Sequence, residues 1–245
     1  MSDSMVVAEE KRIFFHEGAF SVKTLETESE WCQAYRLRHR VFAERLKWVP
    51  ERPDRLEADM YDAWSTSIGV FTADSILLGL VRMTHAPVPF MLESEFSACL
   101  TGTHPIRKEL DTAEITRLAV DPHVADRTVS TRVMQAAIKG AYLWCVANDV
   151  RYTYIVVEER LLRGLRLMGW PCQSLGAPVS LPPAQAVSVA ALIDLETFRL
   201  NASAKRPEVL KWYSTAETVS TGASRCDSPV RASASEVGDV QYEAA

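Results

Sequence analysis

The sequence predicts a mixed α/β fold of the α+β kind, in which a mostly antiparallel sheet is flanked by helices. Three features favour this fold. Residues 24–48 carry apolar side chains at helical spacing, and residues 66–85 contain two apolar runs around a polar turn. Residues 128–150 form a long amphipathic pattern that leads directly into another apolar run. Helices and strands in this order pack as one sheet with helices on its faces.

Composition limits the possible functions. The chain has 245 residues, of which 47% are hydrophobic and 24% charged, as expected for one substantial core. The net charge is -5 and basic residues form no long run, so we expect no nucleic-acid partner. Without a long apolar stretch or a signal-peptide pattern, we expect a cytoplasmic protein that does not enter a membrane.

The cysteines and histidines are scattered. The five cysteines are widely spaced without a Cys-x-x-Cys motif, so they predict buried thiols rather than disulfides. The five histidines offer no metal-ligand spacing, and we predict no metal site. Residues 1–10 and 214–245 lack periodicity and are predicted to be disordered tails around one folded domain at 11–213.

The first helix begins at a plausible capping box formed by Thr27 and Glu30. One face of this helix then carries Trp31, Tyr35, Arg38, Phe42 and Leu46. Because Arg38 lies on an apolar face, its guanidinium either snorkels to solvent or meets an anion.

The remaining elements follow in a simple order. Two strands flank the turn at 73–75, a short helix covers 89–100 and a strand covers 113–122, which proline ends. The long helix leads into a strand at 151–157, a helix at 159–170 and two β-runs at 173–179 and 187–195, which we expect to pair.

Three carboxylates lie close together in the loop "LEADMYD", namely Glu57, Asp59 and Asp62. Such a cluster indicates either a solvated face or nearby cations. Phe42 and Trp48 precede it, and aromatic faces beside carboxylates suit a cationic ligand such as an ammonium or a sulfonium.

Five stretches, "LRHRVFAERLKW", "LEADMYD", "LVRM", "ESEF" and "EITRLAV", resemble the motif series of the acyl-homoserine-lactone synthases, the LuxI-type autoinducer synthases. The likeness covers residues 25–125 and continues more weakly through "YIVVEERLLRGLRLMGW". The family's key positions are filled here by Arg38, Phe42, Trp48, Glu57, Asp59, Asp62, Arg82, Phe96, Glu114 and Arg117. The order of elements also resembles the acyltransferase fold of the N-acetyltransferase superfamily. The chain departs from the family at Lys47, where glycine is usual, and at 175–204, where no motif is clear.

The resemblance implies an enzyme of quorum sensing that uses S-adenosylmethionine as a substrate, not as a cofactor, with no other cofactor. The second substrate would be an acyl thioester on an acyl carrier protein or coenzyme A, and the products an acyl-homoserine lactone and methylthioadenosine. The resemblance places S-adenosylmethionine against Arg38, Phe42, Trp48, Asp62 and Arg82, with Glu57 in the charge network around them. It makes Glu114, Arg117 and Asp59 the catalytic candidates.

Glu114 is our candidate base, because the substrate ammonium must lose a proton before it attacks a thioester. Arg117 would keep Glu114 ionised, whereas the alternative is that Glu114 only forms a structural ion pair. The base would then be Asp59, Asp62 or a water. Because residues three apart face opposite sides of a regular strand, we predict a bulge near 115–116.

The acyl chain is expected between the central strand and the long helix. The candidate wall residues are Phe96, Met134, Ile138, Tyr154 and Ile155. Family members that prefer 3-oxo chains often carry threonine where Ile155 aligns. Because isoleucine offers no hydrogen bond there, an unsubstituted chain is favoured.

The acyl donor is predicted to dock on Arg151, Arg160, Arg163 and Arg166, although these arginines also fit an ordinary solvated face. Residues 121–133 contain no glycine, which disfavours the pyrophosphate loop of an ordinary acetyl-CoA enzyme. A carrier protein is therefore favoured over free coenzyme A. The rival functions are a coenzyme A-dependent N-acetyltransferase acting on another amine and a non-catalytic binding module. The sequence leaves the oligomeric state open.

Overall fold

The computed structural model describes residues 10–101, 105–183 and 186–216. Its strands are β1 Phe14–Glu17, β2 Phe20–Thr24, β3 Thr66–Phe71, β4 Leu77–His85, β5 Thr112–Val120, β6 Tyr152–Glu158, β7 Cys172–Ser174, β8 Val179–Leu181 and β9 Ala186–Asp194. Among the described residues they form one nine-stranded sheet in the order β1-β2-β3-β4-β5-β6-β9-β7, with β8 also pairing with β9. Neighbouring strands are antiparallel except β5 and β6, which are parallel.

Helices cover both faces of this sheet. They are α1 Glu28–Arg38, α2 Arg127–Ala147, α3 Glu159–Leu167, α4 Leu195–Lys205 and α5 Pro207–Ser214. Because side chains alternate along a strand, Leu80 packs toward α1 whereas its neighbour Val81 packs toward α2. Among the described residues three apolar clusters result, one under α1, one under the other helices, and one between the sheet and residues 86–100. The mixed, mostly antiparallel fold predicted from the sequence is confirmed.

Several predicted elements are present. The capping box of Thr27 and Glu30 starts α1, and the helix continues as a π-helical segment, His39–Arg45, in which the Leu46 N–H bonds the Val41 carbonyl. The short helix predicted at 89–100 is two 3₁₀ turns, Met91–Glu93 and Ser97–Cys99.

The two last predicted β-runs do pair, through β7 and β8 on β9. The β1–β2 hairpin and helices α4 and α5 were not predicted from the sequence. Of the predicted tails, residues 1–9 and 217–245 lie outside the described residues. Cys99, Cys145 and Cys172 are buried, as their apolar segments predict.

The feature that positions the site is a gap in the middle of the sheet. Strands β5 and β6 pair only from 112–115 to 152–155, although both continue well beyond the last pair. The two strands therefore separate, and the gap between them connects the α1 side of the sheet to the α2 side. None of the helices in the described parts of the chain is long and apolar enough to cross a lipid bilayer.

Candidate active site

Six buried or half-buried side chains form a compact group of ion pairs, here called the charge cluster. Its members are Arg38, Arg82, Arg117, Glu57, Asp59 and Asp62. Arg38, at the end of α1, is fully buried and donates to all three acids. Its Nη1 lies 2.6 Å from Asp62 and its Nη2 3.3 Å from Asp59, while its Nε binds Glu57. The burial of Arg38 is therefore matched by anions, and snorkelling is excluded.

The other two arginines complete the cluster from the sheet. Arg82 on β4 donates to Asp59 at 2.5 Å and to Asp62 at 2.8 Å. Arg117 on β5 donates to Glu57 at 2.9 Å and to Asp59 at 2.6 Å. Each acid thus contacts at least two guanidinium groups, and the acidic loop is not a solvated face.

The ion pairs fix the charge of the cluster. Burial by itself would raise the pKa of Glu57, but the charges of Arg117 and Arg38 lower it to about 2. Burial also opposes ionisation of Asp59, yet Arg117, Arg82 and Arg38 hold its pKa well below the ordinary range. Burial would lower the pKa of Arg38, but the three acids raise it well above its usual value. Opposite charges in the cluster are therefore balanced.

The burial of each member shows which parts of the charge cluster a ligand can reach. Arg38, Arg82 and Asp62, expected to hold S-adenosylmethionine, are engaged with one another and have almost no exposed surface. Asp59 and Arg117 are the more accessible members, with 19% and 11% of their side chains exposed. The inner members hold the cluster together, and its accessible edge is formed by Asp59 and Arg117.

A β-bulge directs Arg117 to the cluster. Val81 on β4 lies opposite two residues of β5, Arg117 and Leu118, so β5 contains one extra residue. The bulge thus lies one residue beyond the predicted position, 115–116. Arg117 has a φ of 53°, a left-handed conformation that its ion pairs help to hold. As predicted, the bulge lets Arg117 share a sheet face with Glu114.

Glu114 is fully buried on that face, where its two oxygens accept backbone N–H groups from Met91 at 2.7 Å and Leu92 at 2.8 Å. Burial raises the pKa of Glu114 to about 7, against the opposing effect of these N–H groups and of the Arg82 charge. The prediction that Arg117 keeps Glu114 ionised is wrong, because Arg117 is bound to the acids of the charge cluster.

The raised pKa of Glu114 predicts a pH effect on folding. The carboxyl group of Glu114 has a pKa of about 7 in the folded protein and about 4.5 in the unfolded chain. Its protonated form therefore stabilises the folded protein fully below about pH 4.5, and this stabilisation is lost as the pH rises through about 7. We expect Glu114→Gln, which cannot ionise, to gain in unfolding free energy relative to the wild type between about pH 5 and 8. Urea unfolding across this range measures it, and a pH-independent difference would contradict it.

Two aromatic rings stand beside the cluster. Phe42 and Trp48 stack with ring centroids 5.8 Å apart, and the Arg117 guanidinium lies 5.4 Å from the Phe42 centroid. Both rings line a cavity of about 310 Å³ that runs through the gap between β5 and β6 to the α2 side. The aromatic pair predicted beside a ligand therefore lines a cavity, and the charged group against Phe42 is the Arg117 guanidinium rather than a carboxylate.

The predicted acyl pocket is partly correct. Phe96, Ile138 and Ile155 line the cavity. Tyr154 does not, because adjacent residues of a strand face opposite sides and Tyr154 packs on the α1 side. Met134 does not either, since it lies one turn of α2 before Ile138, nearer the start of the helix than the residues that line the cavity.

The predicted docking set does not form one free patch. Arg151 precedes β6, at the end opposite to α3, and pairs with Asp194 and Glu196. Arg166 donates to the Ser174 hydroxyl at 2.8 Å and to a β7 carbonyl. Arg151 and Arg166 therefore make structural contacts, and the prediction that they belong to the docking surface is wrong.

The other two arginines of the set remain available. Arg160 and Arg163 are exposed on α3, and Arg163 lies 3.8 Å from Glu159. At that distance, with both groups exposed, the pair constrains Arg163 only weakly. Arg160 and Arg163 follow the end of β6 on α3, the helix whose Leu161 and Leu165 line the cavity.

Sequence reasoning missed three polar residues of the cavity wall, namely Thr116, Thr153 and Glu158. Glu158 ends β6, and a signal for it existed, because the carboxyl ends of the parallel strands β5 and β6 meet at one edge. Thr153 resembles any β-branched strand residue in sequence, and only the structure separates it from the core.

Comparison with known proteins gives concordant matches. Residues 22–201 match the family model described as autoinducer synthase. The chain is 32% identical over 146 residues to the acyl-homoserine-lactone synthase of Aeromonas salmonicida, which covers 59% of this chain and 70% of that protein.

Two solved structures share the fold. The acyl-homoserine-lactone synthase LasI superposes with a TM-score of 0.63 at 20% identity, covering 74% of this chain and 91% of LasI. BjaI, a CoA-dependent acyl-homoserine lactone synthase solved with SAM and isopentyl-CoA, gives a TM-score of 0.62 at 18% identity. That match covers 79% of this chain and 89% of BjaI.

Proposed function

We propose that this chain, which belongs to the autoinducer synthase family, makes an acyl-homoserine lactone from S-adenosylmethionine and an acyl thioester. It is an acyltransferase. The observation that carries the proposal is the position of the charge cluster and the Phe42–Trp48 pair at one end of an apolar cavity that passes through the sheet. S-adenosylmethionine is a substrate in this reaction, and no separate cofactor is required.

The α1 side of the cavity suits a cationic substrate. Because the charge cluster is balanced, attraction comes from the groups at its edge rather than from a net charge. The faces of Phe42 and Trp48 attract a sulfonium, and the accessible carboxylate of Asp59 attracts an ammonium. We assign the carboxylate of the same substrate to Nη1 of Arg117, because its ion pairs with the acids of the charge cluster use Nη2 and leave Nη1 beside the Met91 sulfur.

Amide formation begins when the substrate ammonium loses its proton and its nitrogen attacks the thioester carbonyl. The carbon–sulfur bond of the thioester then breaks, and the carrier leaves as a thiol that takes up the second proton lost by the nitrogen. Glu114 has a pKa near neutrality, as a general base requires, but both of its oxygens are held by backbone N–H groups. Glu158, which lines the cavity, is the alternative base. Backbone N–H groups beyond the last β5–β6 pair are the donors we assign to the oxyanion.

Lactone formation then needs orientation more than acid–base help. One oxygen of the substrate carboxylate attacks the carbon next to the sulfonium, the carbon–sulfur bond breaks, and its electron pair neutralises the sulfur. Methylthioadenosine leaves as a neutral thioether. A folded substrate chain, held between Arg117 and the aromatic pair, brings the two reacting atoms together.

One assay tests this function against its rivals. Purified protein is given S-adenosylmethionine with octanoyl thioesters of coenzyme A and of an acyl carrier protein, and the products are separated by mass spectrometry. We expect stoichiometric methylthioadenosine and octanoyl-homoserine lactone. Acetyl-CoA consumption with another amine and no methylthioadenosine would favour an N-acetyltransferase, and ligand binding without any product would favour a binding module.

For the donor, we propose that an acidic carrier protein docks at Arg160 and Arg163. Reversing both to glutamate should raise the apparent KM for octanoyl-carrier protein roughly tenfold and leave kcat with octanoyl-CoA unchanged, because surface charges act mainly on encounter. Reversing the exposed Lys205 and Lys211 supplies a control with the same change of charge. An unchanged KM for the carrier donor would instead indicate a solvated face or free acyl-CoA as donor.

A further inference from the structure

Thr153 lines the cavity, and its buried hydroxyl forms no hydrogen bond within the described part of the chain. Its side chain is fully buried, it lines the cavity on the α2 side, and its Oγ1 has no partner among the residues that the structure describes. Buried hydroxyl groups in folded proteins are nearly always paired, so an unpaired one in a cavity wall indicates that a ligand supplies the partner.

The surroundings of Thr153 offer no substitute partner. Ala141 and Ile193, which line the same part of the cavity, are apolar. The Tyr142 hydroxyl accepts a hydrogen bond from Arg199 Nε at 3.3 Å and forms none with Thr153. Cys145 is also in the wall, but burial raises the pKa of its thiol far above the ordinary value, and a neutral thiol is a weak donor.

The position of Thr153 along β6 sets the depth of this contact. Ile155 belongs to the last β5–β6 pair, where the gap begins, and Thr153 precedes it by two residues on the same face. Thr153 therefore lies about 7 Å farther along the strand than the start of the gap, a length of about five or six carbon–carbon bonds. A chain that enters through the gap passes Ile155 first and reaches Thr153 with its distal carbons.

We propose that Thr153 selects acyl donors that carry a hydrogen-bonding oxygen, a hydroxyl or a carbonyl, on the distal part of the acyl group. This inference rests on the proposed function. It agrees with the apolar side chain of Ile155, which offers no partner to an oxygen near the thioester. A cavity with an unpaired polar group discriminates strongly against a ligand that leaves it unpaired, so Thr153 acts as a specificity-determining residue.

The test compares matched donors in matched variants. Wild type, Thr153→Val and Thr153→Ser are each given S-adenosylmethionine with octanoyl-CoA, 3-oxo-octanoyl-CoA or ω-hydroxyoctanoyl-CoA, and methylthioadenosine release is followed. We expect kcat/KM for the ω-hydroxy donor to exceed that for octanoyl-CoA at least about tenfold in the wild type. Serine should keep this ratio and valine should abolish it. A wild-type preference for either other donor, or a ratio that valine leaves unchanged, would overturn the proposal.

A binding measurement separates this inference from the proposed function. If neither these donors nor octanoyl-carrier protein yields methylthioadenosine with the wild type, the proposed function fails, and the role of Thr153 is then decided by melting-temperature shifts with the same coenzyme A thioesters. A larger shift with the ω-hydroxy donor that valine removes supports the inference, and equal shifts refute it. Equal melting temperatures of the unliganded proteins show that the variants are folded.

Discussion

Arg38→Ala is expected to lower the free energy of unfolding by about 3 to 5 kcal/mol at neutral pH and to abolish measurable turnover. The substitution leaves Glu57, Asp59 and Asp62 with fewer cations in a site that excludes water. An uncompensated buried charge is among the most costly defects in a folded protein. Because Asp59 is shared with the accessible edge of the cluster, binding of S-adenosylmethionine should weaken as well.

The pH dependence of the stability loss in Arg38→Ala shows whether the lost ion pairs cause it. In the wild type, the lowered pKa of Glu57, about 2, contributes stability that is present above about pH 4.5 and is lost as pH falls toward 2. Without Arg38 this carboxylate loses a partner that lowers its pKa, so the deficit of the variant should be largest at pH 7 and shrink toward pH 4.

The measurement is urea unfolding at both pH values, with calorimetric binding of S-adenosylmethionine. Arg52→Ala is the matched control, because Arg52 pairs with Asp54 at 2.9 Å on the exposed surface and should change stability by less than about 1 kcal/mol. An Arg38 variant with wild-type stability and wild-type affinity would refute the role of Arg38.

The second large effect is expected at Glu114. If Glu114 accepts the proton of the substrate amine, Glu114→Gln should lower kcat by about 10²-fold or more. In the wild type, kcat should rise with pH through about 7, where the pKa of Glu114 lies. The variant should lack this step and regain rate at higher pH, where the amine loses its proton unaided.

A structural role predicts a different result. Glutamine would also turn an amide donor toward the N–H groups of Met91 and Leu92, and could displace their turn. Glu93→Gln is the control for that effect, since Glu93 accepts the Phe90 N–H in the same turn. A loss of rate equal at all pH values and shared by Glu93→Gln would make Glu114 structural. If Glu158→Gln alone gave the pH-dependent loss, the base would be Glu158.

Patterns of spacing and charge predicted much of this site. An arginine on the apolar face of a helix indicated a nearby anion as one alternative, and three acids in one loop indicated nearby cations, and the structure pairs the two. The bulge was predictable as well, because two functional side chains three residues apart require one in a strand. The inferences about charge use local patterns alone, whereas the bulge also required the family resemblance, which marked Glu114 and Arg117 as functional.

What the sequence could not supply depends on contacts between distant segments. Tyr154 was assigned to the pocket because its side chain is large and apolar, although the alternation along β6 excludes it once Ile155 is included. Arg151 was grouped with the arginines of α3 because it is close in sequence, but a strand separates the two ends. The unpaired hydroxyl of Thr153 has no signature in sequence at all.

The extra residue of β5 also determines how this chain can be engineered. Deleting Leu118 would leave a regular ladder with β4, so strand pairing alone would tolerate the shortening. With the bulge gone, however, Arg117 would follow the ordinary alternation and point to the α2 side, into apolar surroundings and away from its acids. Libraries aimed at a new acyl range can therefore randomise the side chains of the cavity wall, but they should hold the length of this strand constant.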